Sequence, residues 1–246
     1  MSRLKVIYED NHIIAVMKPA GLLTQGDRSG EDSLMYEVKK YLKEKYKKPG
    51  NVFLGLVHRL DKPVQGIVLF GKTSKGASRL SEQFREHTIQ KTYHAIVVGK
   101  LDKQKGEIKE QVNKISFFAE GFTNKTDKEL LEEIKKATKT RTAELSWEVV
   151  KSNGRYSLLK ILPKTGRFHQ IRIQMANMGH PILGDKKYSK QNMPEWKDNN
   201  SIALAATAIS FKLATEDKIM NLEIPLPFDL STGGGIDLFS GTSDNE

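Results

Sequence analysis

His58, Arg59 and Asp61 fall within four residues in "VHRLDKPVQG", and an apolar run, "GIVLF", begins at the final glycine. A ring that can carry a proton, a guanidinium that can hold an anion and a carboxylate that can act as nucleophile or base stand where a strand enters a core. A second dense stretch is "PKTGRFHQIRIQM", Pro163–Met175, where Lys164, Arg167, His169, Gln170 and Arg172 crowd nine residues. Thr165-Gly166 supplies a turn there, and a helix is expected to start near His169. Backbone amides at a helix start, with Arg and Lys beside them, suit a phosphate.

Each of these residues also has a plainer reading. Lys164 fits an ordinary surface cation on a basic protein. Arg172 fits that reading poorly, because it lies among Ile171, Ile173 and Met175, and a part-buried arginine requires an anion. Asp61, hemmed in by Leu60 and Val64, is a candidate partner. A guanidinium beside it would lower its pKa and keep it ionised, which suits a nucleophile or base and not a general acid. Asp61 can equally be read as a turn or cap residue before Lys62-Pro63. Tyr93, in the strand-like "KTYHAIVVGK", reads as core packing or as a ring that stacks on a base with its hydroxyl in proton transfer.

Other chemistries find little support. There is no cysteine, so disulfides, thiolate metal sites and cysteine nucleophiles are excluded. The six histidines are scattered and form no H-x-x-x-H pair, so no metal is expected. No phosphate-loop, dinucleotide-binding or G-x-S-x-G motif occurs. Only one carboxylate stands out, so a two-carboxylate glycosidase is not supported.

The elements that must position these groups read as follows. "LKVIYEDNHIIAVMKPAGLL" gives two strands around a polar turn at Glu9–His12. Ser33 is expected to cap a helix through about Tyr46, with Leu34, Val38, Tyr41 and Leu42 on its apolar face. "VFLGLVHRL" and "GIVLFGKT" are strand-like halves flanking Asp61, and Ser74 can cap the helix that follows. "GEIKEQVN", "TRTAELSWEVV", "YSLLKILP", "SIALAATAISFKL" and "IMNLEIPLP" supply further strands. Asn124–Thr140 reads as an inserted helix with a capping box at Thr126 and Glu129. A short helix over His169–Met178 ends at Gly179. Strands outnumber helices and do not alternate with them regularly. The expectation is an α+β fold, a mixed and mostly antiparallel sheet with helices packed on it, in one domain over residues 1–230. The Gly/Ser/Asp tail, residues 231–246, is expected to be disordered.

Charge points to the partner. The net charge of this 246-residue chain is +10, and setting aside the carboxylates of the tail raises it to +13. A basic surface of this kind suits a polyanion, nucleic acid ahead of a membrane. No apolar run approaches the ~18 residues of a membrane span, and the N-terminus has no secretory h-region. A cytoplasmic protein is expected, and nothing demands more than a monomer.

Taken in order, "YEDNHIIAVMKPAGLL", "VHRLDKPVQGIVLFGKTSKGASRLSEQF", "KTYHAIVVG", "LPKTGRFHQIRIQMANMGHPILGDKKY" and "IALAATAISF" resemble the RluA-type RNA pseudouridine synthases, from about Val6 to Pro227. The resemblance implies a mixed-sheet catalytic domain without cofactor or metal, acting on structured RNA, rRNA or tRNA. It implies that Asp61 is the catalytic aspartate, that Tyr93 stacks on the uracil and can serve as base for the C5 proton, and that Arg172 pairs with the aspartate. Arg59 resembles the residue that holds the flipped nucleotide out of the stack. Arg167, His169 and Gln170 are further RNA-contact candidates, and Lys18, Lys72 and Lys91 are candidates for phosphate.

The chain departs from the family where the motif usually continues T-S-G and here reads Val64-Gln65-Gly66, and where a late L-H-A is Leu204-Ala205-Ala206. Only five residues precede Val6, so the S4 RNA-binding domain of many relatives is not expected. A second reading is an RNA-binding or RNA-chaperone protein on the same fold. A third is a glycosidase that releases free uracil.

Overall fold

The computed structural model describes residues 4–26, 32–112, 141–189, 196, 199–230 and 236–238. The segment expected to form an inserted helix, Asn124–Thr140, lies outside them.

Twelve strands and three helices are described, as an α+β fold. Strands β1 (Val6–Glu9), β2 (Ile13–Lys18), β3 (Gly55–Leu56), β4 (Gln65–Gly71), β5 (Gln90–Val98), β6 (Lys105–Val112), β7 (Arg141–Ser152), β8 (Tyr156–Pro163), β9 (Leu204–Lys212) and β10 (Ile219–Glu223) make one sheet. Its main order is β1-β2-β4-β9-β5-β8-β7-β6, with β3 on β4 and β10 on β9. All described pairings are antiparallel except β4 with β9, which run parallel.

The central strands are apolar on both sides because both faces are covered. Ile14, Val16, Val68 and Phe70 enter one buried cluster, while Ile13, Ala15, Ile67 and Leu69 enter the other. This is the period-two pattern of a strand with two buried faces. Helix α1 (Leu34–Lys45) packs Leu34, Val38 and Leu42 on the first face. Helix α2 (Ser74–Arg85) sets Leu80 and Phe84 on the second. Ser33 caps α1 by accepting from Tyr36 N–H, as expected. The cap of α2 is Thr73, one residue before the expected Ser74: its hydroxyl accepts from Gly76 N–H and also meets His12 Nδ1 at 2.8 Å.

Two further expectations change. Only Gly55–Leu56 of "VFLGLVHRL" pairs as a strand, and the rest approaches Asp61 as an irregular segment. The tail is not wholly without structure: β11 (Phe228–Leu230) pairs antiparallel with β12 (Ile236–Leu238). The reason is apolar burial, since Phe228 and Leu230 are fully buried in the first cluster. The Lys151 ammonium holds Asp229 Oδ2 at 3.0 Å from outside.

Among the described residues no helix is long and apolar enough to cross a membrane.

Candidate active site

The sheet register brings the two dense stretches together. Ala206 of β9 pairs with Gly66 of β4 on one side and with Tyr93 of β5 on the other. Tyr93 pairs in turn with Ile161 of β8, two residues before the strand ends at Pro163. The segment leading to Asp61 enters β4, and the Thr165–Gln170 turn leaves β8. Both therefore emerge beside Tyr93. Gly66 makes the close approach possible: its φ is +134°, and a Cβ there would lie 2.3 Å from the Ala206 carbonyl oxygen. Only glycine meets both conditions.

The Asp61 segment is pinned by side chains. Thr24 Oγ1 donates to the Leu60 carbonyl at 2.8 Å and accepts from Leu60 N–H at 3.2 Å. Val64 N–H closes a turn onto the Asp61 carbonyl at 3.0 Å. His58 Nε2 accepts from Leu69 N–H of β4 at 2.9 Å, and its ring stacks on Phe84. Burial, with Lys91 adding to it, pushes the His58 imidazolium pKa down to about 3. His58 is thus a neutral ring whose lone pair is spent on the backbone. It docks the segment and is not a base.

Asp61 and Arg172 do meet, at 3.3 Å between Oδ2 and Nη1. Arg172 is buried on helix α3 (Gln170–Asn177), every residue of which from Gln170 to Met175 is buried. Its nearest anion is Asp185, bound through both Nε and Nη2 at 2.7 and 2.8 Å. Two carboxylates therefore share one guanidinium. The consequence reverses an expectation. Burial raises the Asp61 pKa, and Arg172 opposes that rise without overcoming it, while the Asp185 charge adds to it.

His169, the N-cap of α3, adopts a left-handed conformation with φ of +50°. Its Nδ1 lies 2.5 Å from the Tyr188 hydroxyl and 3.3 Å from Arg172 Nη1. Arg172 Nη1 also lies 3.4 Å from Nε2, so it spans both ring nitrogens. Nε2 faces Asp61 Oδ2 at 3.6 Å. Burial, with Arg172 and Lys187 near, pulls the His169 pKa down to about 3, so the ring is neutral. Arg172 also lies 4.9 Å over the Tyr188 ring.

These groups line a cleft of about 960 Å³. Among the described residues its walls carry Arg59, Arg85, Lys91, Arg167, Arg172 and Lys187 against a single carboxylate, Asp61. Tyr93 is among them, and burial followed by the Asp61 charge raises its phenol pKa. Tyr93 is therefore a neutral phenol in the resting site.

Residues 12–177 match the family described as RNA pseudouridylate synthase. The chain belongs to the RluA-type RNA pseudouridine synthases. Enzymes of this family are isomerases that convert uridine to pseudouridine in RNA, and this pseudouridine synthase is one of them. It is 31% identical over 229 residues to a ribosomal large subunit pseudouridine synthase C of Buchnera aphidicola, covering 92% of this chain and 68% of the relative. It is 32% identical to a tRNA pseudouridine synthase C of Vibrio parahaemolyticus, covering 90% of each. In fold it resembles human RNA pseudouridylate synthase domain containing 4, with a TM-score of 0.70, 21% identity, and coverage of 91% of this chain and 88% of that one.

The structure sorts the residues this synthase offered in sequence. Asp61, Tyr93, Arg172, Arg59, Lys91, Arg167, His169 and Gln170 all line the cleft. Gln170, however, is spent internally: its Oε1 accepts from Thr165 Oγ1 and Arg167 N–H, and its Nε2 donates to the Glu144 carbonyl. It fastens the turn to β7 and is only 4% exposed.

Lys18 and Lys72 are not phosphate ligands in this structure. Lys18 is 0% exposed, and its three ammonium protons go to the carbonyls of Pro19, Leu22 and Lys62. Burial lowers its pKa to about 7, against the pull of Asp61. Lys72, with a side chain 9% exposed, binds Glu9 at 2.5 Å and the Asp10 carbonyl. Burial works against the Glu9 charge, yet hydrogen bonds from Lys45, Lys72, Tyr46 and Tyr41 hold its pKa down to about 2.

Asp185, Tyr188, Lys187, Arg85 and His87 are the residues that sequence reasoning missed. Asp185 had a signal. It directly follows the apolar "PILG" and precedes Lys186-Lys187, a placement like the one that drew attention to Asp61.

Proposed function

We propose that this protein isomerises uridine to pseudouridine in rRNA or tRNA, with Asp61 as the catalytic carboxylate acting on a nucleotide flipped into the cleft. The observation that carries the reading is the placement of Asp61, which among the described residues is the sole carboxylate in a cleft lined by six cations, 3.3 Å from Arg172.

The chemistry is an internal exchange of bonds. The C1′–N1 bond breaks, the uracil turns, a C1′–C5 bond forms, and the C5 proton leaves while N1 gains one. An ionised Asp61 serves this by attacking the sugar or the ring, or by taking a sugar proton. Arg172 supports the ionised form, and Asp185 holds Arg172 where it can. Tyr93 supplies a flat ring against the uracil, and its neutral hydroxyl relays the proton, giving its own to N1 as it takes that of C5. Flipping costs a few kcal/mol of unstacking. Arg59 enters the space left in the stack, and phosphate contacts from Lys91 and Arg167 offset the cost. Arg167 is the more rigid of the two, because its Nε is already tied to the Thr142 carbonyl at 3.0 Å.

The test is tritium release from RNA labelled at C5 of uridine. The purified protein should release tritium and form pseudouridine without free uracil, and Asp61→Ala should do neither while still binding RNA. Free uracil as the product would instead identify a glycosidase. Full turnover by Asp61→Ala would remove Asp61 from the chemistry.

A further inference from the structure

Phe168 lines the cleft and has no part in the reaction above. It is 54% exposed, although phenylalanine is a residue that normally buries its ring. One face lies on the His169 ring, with centroids 3.8 Å apart and planes within 16°. His169 in turn is fixed by Tyr188, reaches Asp61 at 3.6 Å and is uncharged. The Phe168 ring therefore rests on the His169 ring that faces Asp61, with about half its surface exposed. The Lys187 ammonium lies 6.0 Å from the ring centre, and Arg59 and Arg167 line the same cleft.

An exposed aromatic ring in a cation-lined cleft is the device by which proteins hold unpaired bases: the ring takes the base and the cations take the phosphates. A neutral His169 behind it matters, because the supporting ring can stack on both Phe168 and the substrate without adding a charge. On the reading of the cleft as an RNA site, we infer that Phe168 is a specificity residue, a platform that stacks the unpaired nucleobase next to the flipped uridine. The flipped uracil is left to Tyr93 and Asp61. Stacking strength grows with ring area, so a purine neighbour is favoured over a pyrimidine, and a neighbour locked in a duplex is rejected.

The test is a cycle between side chain and base. The full chain carrying Asp61→Asn, which cannot turn over, is titrated with a hairpin RNA whose loop places one uridine between two adenosines. The same hairpin is made with an abasic nucleotide on the 5′ or the 3′ side. Adding Phe168→Ala is expected to weaken binding of the intact hairpin roughly tenfold, with Phe168→Tyr restoring it to within about twofold. Removing one neighbouring base should weaken the parent protein by a similar factor and erase the effect of Phe168→Ala. Phe168→Leu, which keeps apolar bulk over His169 without the π face, should behave like Phe168→Ala. If Phe168→Ala costs as much on both abasic hairpins as on the intact one, the ring merely supports His169 and the inference is overturned. Strong binding with no effect of Phe168 overturns it alone. No binding by the parent protein overturns it together with the RNA reading of the cleft.

Discussion

Arg172 gives its two shortest hydrogen bonds to Asp185, at 2.7 and 2.8 Å, and only a 3.3 Å contact to Asp61. The tighter, buried ion pair of the site is Arg172 with Asp185, and Asp61 is its looser third member. Removing Asp185 leaves a buried guanidinium without its main anion. Asp185→Ala should cost about 3–5 kcal/mol of stability. Equilibrium unfolding in urea measures it, and a loss near zero would mean that Asp61 alone satisfies Arg172.

Asp61 predicts the opposite sign. Its folded-state pKa is raised above 3.8, so the folded protein binds more protons at this group than the unfolded chain does. Stability must then fall as pH rises from about 4 through the raised value. Asp61→Asn removes that cost. It should melt no lower than wild type at neutral pH, with the difference shrinking in acid, while turnover is lost. Melting curves across pH read the sign directly. The same shift makes wild-type turnover fall with acid at a pH above the ordinary aspartate range.

The cations divide into those that line the cleft and those that are spent on the fold. Lys91 lines the cleft, and burial lowers its pKa, so an arriving phosphate gains a poorly solvated partner. Lys91→Met should weaken RNA binding and reduce the slope of log affinity against log salt by about 0.7–0.9. Lys18→Met and Lys72→Met should leave that slope unchanged. Lys18→Met has its own signature. Its pKa is lowered to about 7, so the charged form is penalised below pH 7 and the penalty is relieved as pH rises toward 10.5. Any gain from the substitution should therefore be largest in acid.

Gly66 joins the Asp61 segment to the sheet beside Ala206, and its backbone conformation and its contact both exclude a side chain. Gly66→Ala should destabilise by at least about 1–3 kcal/mol from the backbone alone. Calorimetric melting checks it. A neutral effect would mean that β4 and β9 can part without disturbing the site.

Much of this site was legible in the chain because it depends on local spacing and on burial. Asp61, Arg172 and Tyr93 stood out as polar groups in apolar or strand-like settings, and the structure gathers all three in one cleft. The strands and the caps at Ser33 and Thr73 follow from periodicity and turn chemistry, to within a residue at Thr73. What was not legible depends on the third dimension. The choice of Asp185 over Asp61 as main partner of Arg172 is set by how the Ile182–Asp185 turn packs against α3, and spacing carries no trace of it. The same limit misplaced Lys18: a lysine at a strand end looks like a surface cation until three carbonyls close around it. The direction of the Asp61 shift failed for a related reason, since burial by distant segments outweighs a neighbour that the pattern could name.

The most direct test of the central claim is pseudouridine mapping at single-base resolution in total RNA from cells with and without this protein. The account predicts that at least one site vanishes, returns with wild type and stays absent with Asp61→Ala. A site restored equally well by Asp61→Ala, or no site lost at all in cells that express the protein, would contradict it.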